Sequence, residues 1–274
     1  MIPDSREKGA LPPLADTHSH LADPAFAGDL DQVLERALRV GVKAVLVMSE
    51  DEEEGERVLE LCKGREDFLL PCLGLFPGKG GPDRAEALAA RIREKREVLG
   101  AIGEVGLDFR IEGDPRGRKI QEEVLALFVA LSRETGLPLS VHSRSAGKRT
   151  LDLLAAEGAG KVVMHAFDGK ARYALEGVER GWFFSIPPSL VRSRQKEKLV
   201  RALPLEAILL ESDAPVLGPV PGKRNEPALL EVTVQRIAEI KGVSPIRAAE
   251  AAWANAARLF GSRPGGPGPF TLRS

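Results

Sequence analysis

Four histidines occur in the 274 residues, and each closes a short apolar, β-like run. His18 and His20 end Leu14-Ala-Asp-Thr-His-Ser-His20, His142 ends Leu137-Pro-Leu-Ser-Val-His142, and His165 ends Lys161-Val-Val-Met-His165. Neutral imidazole ligates divalent metals readily. Four imidazoles at strand ends therefore predict one metal-centred site assembled by the whole fold. Residues two apart on a strand share a face, so His18 and His20 can reach one ion. Asp16 has the same parity and is expected to orient an imidazole from behind, as carboxylates behind metal-bound histidines do.

Two carboxylates join them. Glu104 lies in Ala101-Ile-Gly-Glu-Val-Gly-Leu-Asp108, flanked by glycines inside an apolar run. A buried unpaired charge is costly, so Glu104 needs a metal or a cation, and these strands carry almost no buried lysine or arginine. Asp213 ends Ile208-Leu-Leu-Glu-Ser-Asp213, just before Pro215 breaks the run. An N-cap is the bland alternative for it, but a long Pro/Gly-rich stretch follows. Six ligands exceed one tetrahedral zinc site and suit two divalent ions sharing a carboxylate. The expected partition places His18, His20 and Asp213 on one ion and His142 and His165 on the other, with Glu104 bridging. Asp213 is also the expected proton carrier, and Glu104 its catalytic companion. Histidine-rich ligation admits Zn2+ or Mn2+, and carboxylate sharing admits Mg2+.

The elements that must position these residues follow from apolar periodicity. Strands are predicted over Leu14–His20, Val42–Ser49, Phe68–Leu75, Leu99–Asp108, Leu137–His142, Lys161–Phe167, Trp182–Ile186 and Ala207–Ser212. Helices are predicted over Leu30–Val40, Glu52–Lys63, Arg84–Glu97, Gly117–Thr135, Ala146–Glu157, Ala171–Arg180, Leu190–Ala202, Pro227–Lys241 and Ser244–Phe260. Gly41, Gly136, Gly158 and Gly181 stand where helix C-caps are expected. Eight strands alternating with helices predict an α/β fold of the parallel (β/α)8 TIM-barrel type, with the site at the C-terminal ends of its strands. A doubly wound open sheet is the structural rival. One domain is expected over residues 13–260, between a loose segment 1–12 and a loose Gly/Pro-rich tail 261–274.

Composition narrows the function. A formal charge of −1 argues against an avid nonspecific duplex binder. The loops after the strands are nonetheless basic, and Arg144 and Arg224 are the candidates for a substrate phosphate. Cys62 and Cys72 are too few for a disulfide framework. No apolar run approaches membrane-spanning length, and no signal core opens the chain. The expectation is an intracellular monomer, cytoplasmic or nuclear, with no membrane partner.

The segments Asp16-Thr-His-Ser-His20, Gly103-Glu-Val-Gly-Leu-Asp108, Val141-His-Ser-Arg144, His165-Ala-Phe-Asp-Gly169, Glu211-Ser-Asp-Ala-Pro215 and Arg224-Asn-Glu-Pro227 resemble the TatD family of metal-dependent deoxyribonucleases, within the amidohydrolase-like barrels. Ala146-Gly147 and the run Trp182–Ser189 are most similar to its third vertebrate branch. The resemblance spans about Leu14 to Phe260. It implies a (β/α)8 barrel, 3′-directed exonuclease or DNA-repair nuclease activity on DNA ends or single strands, and divalent metals at His18, His20, Glu104, His142, His165 and Asp213. One departure stands out. The family usually reads Gly-x-His-Pro after the third strand, where this chain reads Gly74-Leu-Phe76-Pro-Gly78, so the change bears on rate and substrate preference. Two other readings compete. One is an amidohydrolase-like enzyme acting on a small non-nucleic-acid substrate, although many of those bridge their metals with a carboxylated lysine where this chain has Glu104. The other is a catalytically weak metal- or nucleic-acid-binding protein.

Overall fold

A computed structural model describes residues 11–261 and 269–270. Its eight strands are all parallel and pair in chain order. They are β1 (Leu14–Ser19), β2 (Val42–Val47), β3 (Leu69–Leu73), β4 (Ala101–Gly106), β5 (Leu139–His142), β6 (Val162–Met164), β7 (Phe183–Ile186) and β8 (Ile208–Leu210). The seam between β8 and β1 is closed just beyond β8. Thr17 Oγ1 donates to the Leu210 carbonyl (2.9 Å), Asp213 N–H to the His18 carbonyl (2.9 Å) and His20 N–H to the Ala214 carbonyl (2.8 Å). The expected TIM barrel is present and the open sheet is excluded.

Helices α1 (Leu30–Arg39), α2 (Glu52–Cys62), α3 (Pro82–Lys95), α4 (Pro115–Thr135), α5 (Gly147–Ala156), α6 (Ala171–Glu179), α7 (Arg194–Ala202), α8 (Leu230–Lys241) and α9 (Pro245–Phe260) clothe it. Their ends follow local chemistry. The Asp51 side chain accepts from Glu54 N–H ahead of three glutamates in the first turn of α2. Asp114 and Ser244 cap α4 and α9, each with proline next. Gly136 ends α4 at φ 75°, a left-handed C-cap that glycine adopts without steric cost. The predicted helix 190–202 is in fact two pieces. A 3-10 turn over Pro188–Arg192 precedes α7, and Ser193, extended at φ −118°, caps α7 through its hydroxyl. Apolar spacing carries across such a break and cannot report it.

Large apolar side chains fill the space between sheet and helices. The barrel interior is apolar only in its lower part, where Ala15, Ala44, Leu46, Leu70, Ala101, Val163 and Leu209 pack against one another. Helix α9 seals that end with Trp253, Ala256, Leu259 and Phe260. The expected loose tail differs at Phe270, whose buried ring lies 5.5 Å from Trp253 and 6.0 Å from Phe260. The rest of the two expected loose ends, residues 1–10, 262–268 and 271–274, lies outside the described residues. Among the described residues no helix is long and apolar enough to cross a membrane.

Candidate metal centre

Above the apolar layer the interior turns polar. Asp16, His18, His20, Glu104, His165, Glu211 and Asp213 are all buried. Close approach of backbones makes room for them. A Cβ on Gly74 would lie 2.4 Å from the Glu104 carbonyl oxygen, and one on Gly106 would lie 2.1 Å from the His142 carbonyl oxygen. Gly106 also sits at φ 150°. Gly106→Ala is therefore expected to destabilise the protein by roughly 3 kcal/mol or more, seen as a lower urea midpoint. An unchanged midpoint would show that the β4–β5 contact has slack.

The six predicted ligands converge. His18 Nε2 and His20 Nε2 lie 3.2 Å apart, and both lie near Glu104 Oε2, at 3.5 and 3.4 Å. The other oxygen of Glu104 lies 2.7 Å from His142 Nδ1 and 3.2 Å from His165 Nε2. Asp213 Oδ1 completes the first group, 3.8 Å from His18 Nε2 and 3.6 Å from His20 Nε2. Ligand atoms gather into three overlapping triads: His18–His20–Glu104, Glu104–His142–His165 and His18–His165–Asp213. The expectation that Glu104 needs a metal or a cation is met so far by imidazoles, since no lysine or arginine of the described residues pairs with it.

Charges follow from this geometry. Burial opposes ionisation of Glu104, yet His165 and His142 hold its carboxyl well below the usual range. Burial likewise opposes charge on His20, but Glu104 and Asp213 push it up to about 9. His165 is raised well above its ordinary value by Glu211, Glu104 and Asp213. His18 goes the other way: burial and the neighbouring His165, stacked at 3.8 Å, bring it down to about 4. Its Nδ1 lies 2.9 Å from Ser140 Oγ, and its Nε2 faces the site.

Several residues that hold the ligands were not assigned from sequence. Glu211 is the main one. Its Oε2 lies 3.2 Å from His165 Nδ1 and accepts from Ser185 Oγ (2.5 Å), while Oε1 accepts from Ala166 N–H (2.9 Å). Ala166 is held at φ 41°, a region sparsely populated by residues with a side chain. From α7 the buried Lys196 donates to the Ala166 carbonyl (3.0 Å). Asp108 lies 3.0 Å from His142 Nε2 and takes the same orienting role there. The i, i+2 parity that paired His18 with His20 also pairs Glu211 with Asp213 and would have found it. Glu211→Gln is expected to weaken metal binding about 10- to 100-fold, because it removes a carboxylate that fixes an imidazole. Competition with a chromogenic chelator measures this, and an unchanged affinity would leave Glu211 a purely structural residue.

Two sequence expectations, for Asp16 and Arg224, differ in the structure. Asp16 does not orient an imidazole. Its Oδ1 accepts from Ser212 N–H (2.8 Å) and His18 N–H (3.3 Å), stitching the seam, and burial raises its carboxyl to about 7. Arg224 is already engaged: it donates to both carboxylate oxygens of Asp29 (2.7 and 2.6 Å) and to the Ala25 carbonyl, with its guanidinium 4.9 Å from the Phe26 ring. Other rim cations are matched too, Arg149 by Glu122 and Lys148 by Asp152 and Glu176. Arg144 is more than half exposed, with only a 4.0 Å approach to Asp108. Phe76 packs its ring against His142, centroids 4.9 Å apart at 62°.

The family described as TatD related DNase matches residues 15–261. The chain belongs to this family. Among curated TatD relatives, it is 43% identical over 258 residues to "Deoxyribonuclease TATDN3" of Homo sapiens, covering 90% of this chain and 94% of that protein. It is 34% identical over 255 residues to "Uncharacterized metal-dependent hydrolase YabD" of Bacillus subtilis, covering 90% and 98%. Among solved structures it superimposes on YJJV, a TatD homologue from Escherichia coli, with a TM-score of 0.83 at 28% identity, covering 91% of this chain and 98% of that one. The fold and the enzyme class expected from the sequence thus stand: a TatD-family hydrolase on a (β/α)8 barrel.

Proposed function

We propose that this TatD-family hydrolase is a two-metal phosphodiesterase that removes nucleotides from the 3′ ends of DNA, acting on single strands as a monomer. The carrying observation is the division of Glu104, with one oxygen facing His18 and His20 and the other facing His142 and His165. A donor set of imidazoles and carboxylates, gathered within ligand distance of common points, fits two divalent cations of the Mg2+, Mn2+ or Zn2+ kind. His18, His20 and Asp213 would hold one and His142 and His165 the other, with Glu104 shared. Such ions, when bound, supply a lowered water pKa and charge neutralisation at phosphorus.

The chain's own residues do the rest. Asp213 takes the proton of the attacking water and returns it to the departing 3′ oxygen. In the metal-free protein burial lifts its carboxyl to about 6, and a bound ion would lower it again. Glu211 and Asp108 keep His165 and His142 turned toward the site. Arg144, exposed on the β5 rim, meets a nonbridging phosphate oxygen. Arg224, tied to Asp29, serves as a wall of the substrate channel and contacts phosphate only at its edge.

The test is hydrolysis of a single-stranded oligonucleotide carrying a label at its 3′ end. Metal-stripped protein receives Mg2+, Mn2+ or Zn2+ in turn, with Asp213→Asn as control. Metal-dependent release of labelled mononucleotide, absent in the control, is expected. Stoichiometric metal uptake with no cleavage under any ion would sink the nuclease reading.

A further inference from the structure

A recess of about 390 Å3 opens between the segment after β1 and the segment after β8. Its wall begins at Pro215, two residues past Asp213, and Val216 N–H donates to the Asp213 carbonyl (2.9 Å). Two kinds of residue line it. Pro215, Val216, Leu217 and Val220 are apolar, and Val216 and Val220 are 55% and 54% exposed. Arg192, Lys223 and Arg224 are cationic. No described residue lining it is acidic, in a chain with 40 acidic and 39 basic residues. Arg224 is matched by Asp29, but Arg192 spends only its Nε on the Gly218 carbonyl (3.1 Å), and Lys223 has no ion pair among the described residues. Two unmatched cations therefore face a space floored by exposed valines. A second recess, between α2 and α3 at the sealed end of the barrel, is larger but carries Glu56, Glu60, Glu66 and Glu97 among its cations. It has no preference for an anion.

The recess beside the site is also rigid. Asn225 Nδ2 donates to the carbonyls of Ser212 (2.6 Å) and Val216 (2.8 Å), and Asn225 N–H donates to the Pro215 carbonyl (2.9 Å). Ser189 N–H holds the Leu217 carbonyl (2.8 Å), and Leu217 is kept at φ 49°. A preformed hollow loses little ordering entropy on binding.

We infer that this recess is a nucleotide subsite, which holds the residue of the substrate strand next to the scissile phosphodiester, its base on Val216 and Val220 and its phosphate at Lys223 and Arg192. An apolar body joined to a negative charge is what the lining matches, and aliphatic side chains bury a base face by area alone, without reading its sequence. The inference rests on the nuclease reading of the adjoining site.

Binding is measured by anisotropy of a fluorescein-labelled thymidine octamer whose linkages are phosphorothioates, so that the strand survives on the metal-loaded enzyme. Val220→Asp with Lys223→Glu is expected to weaken binding at least tenfold. Lys223→Gln alone is expected to weaken it about threefold and to flatten the salt dependence of log Kd by about 0.7, the share of one phosphate contact on a single strand. Val220→Asp alone should erase the preference for the thymidine octamer over an abasic octamer of equal charge. Unchanged affinity and unchanged salt slope in these variants would overturn the subsite. So would an octamer of glutamate that competes as well as the thymidine octamer, which would mark a protein-docking surface instead. The two readings fail separately. If the active enzyme binds the octamer of ordinary phosphodiester linkages here and leaves it uncut, the nuclease reading falls, and the recess stands as a nucleotide-binding hollow with no scissile bond beside it. If it cuts the octamer and the variants bind it as before, the reverse holds.

Discussion

Glu104→Gln is expected to cut the rate of DNA hydrolysis by about 10^4-fold or more, on the scale of losing one member of a catalytic set that acts as a unit. The protein should remain folded, because the two side chains have the same shape and the site lies above a separately packed apolar layer. The loss has two sources. A carboxamide offers one oxygen where the carboxylate offers two, so it cannot serve His18 and His20 on one side and His142 and His165 on the other. Its NH2 group must then face imidazole nitrogens that should be free to bind a cation. Metal content by elemental analysis is expected to fall together with the rate. Full metal content and an unchanged rate would remove Glu104 from the bridging role.

The second large effect concerns pH. In the metal-free protein Glu104 and Asp213 push His20 up to about 9, so it carries a proton at pH 7, and His165 is raised above its ordinary value by Glu211, Glu104 and Asp213. His142 is raised as well. Metal binding needs these imidazoles neutral, so loading must expel protons. Each proton expelled makes the affinity tenfold stronger per pH unit below the imidazole's own value. The His20 proton alone gives about 10^2-fold tighter binding between pH 6 and pH 8, and the raised His165 and His142 act in the same direction. Calorimetry in buffers of different ionisation enthalpy counts the protons directly. An affinity flat across this range would show that the imidazoles are already neutral.

Stability without metal should move the opposite way. A histidine raised in the folded state stabilises fully below its unfolded value of 6.5 and loses that contribution as pH climbs through the folded value. For His20 that window runs from about pH 6.5 to 9. Asp213 and Asp16, raised to about 6 and about 7, cost the fold stability as pH rises from their unfolded value of about 4, and this loss levels off only above about pH 7. The metal-free melting temperature should therefore fall between pH 7 and 9, while the metal-loaded protein gains in relative stability.

Much of this site was legible in the sequence because each ligand carried its own local signal: an imidazole at the end of an apolar run, or a carboxylate inside one. The eight strands were legible for the same reason, although β6 and β8 are shorter than their apolar runs. His165 sits past the end of β6, just ahead of Ala166 at φ 41°. What stayed hidden was pairing at long range. Arg224 read as an unengaged rim cation, since nothing in its neighbourhood announces Asp29, 195 residues away. Lys196 carries no local signal of its contact, although its ammonium reaches the Ala166 carbonyl. Asp16 shared the parity of the two histidines, but parity gives a face and not a partner, and its partner proved to be the backbone of the closing seam.

The sealed lower barrel has a consequence for how such an enzyme can diversify. Trp253, Phe260 and Phe270 close one end with aromatic packing, while every proposed ligand and the recess after β8 lie toward the other. Residues that far apart share no partners, so substitutions at the two ends should act additively. A lineage could exchange rim loops to suit new substrates while the aromatic plug, untouched, keeps the molecule above its folding threshold.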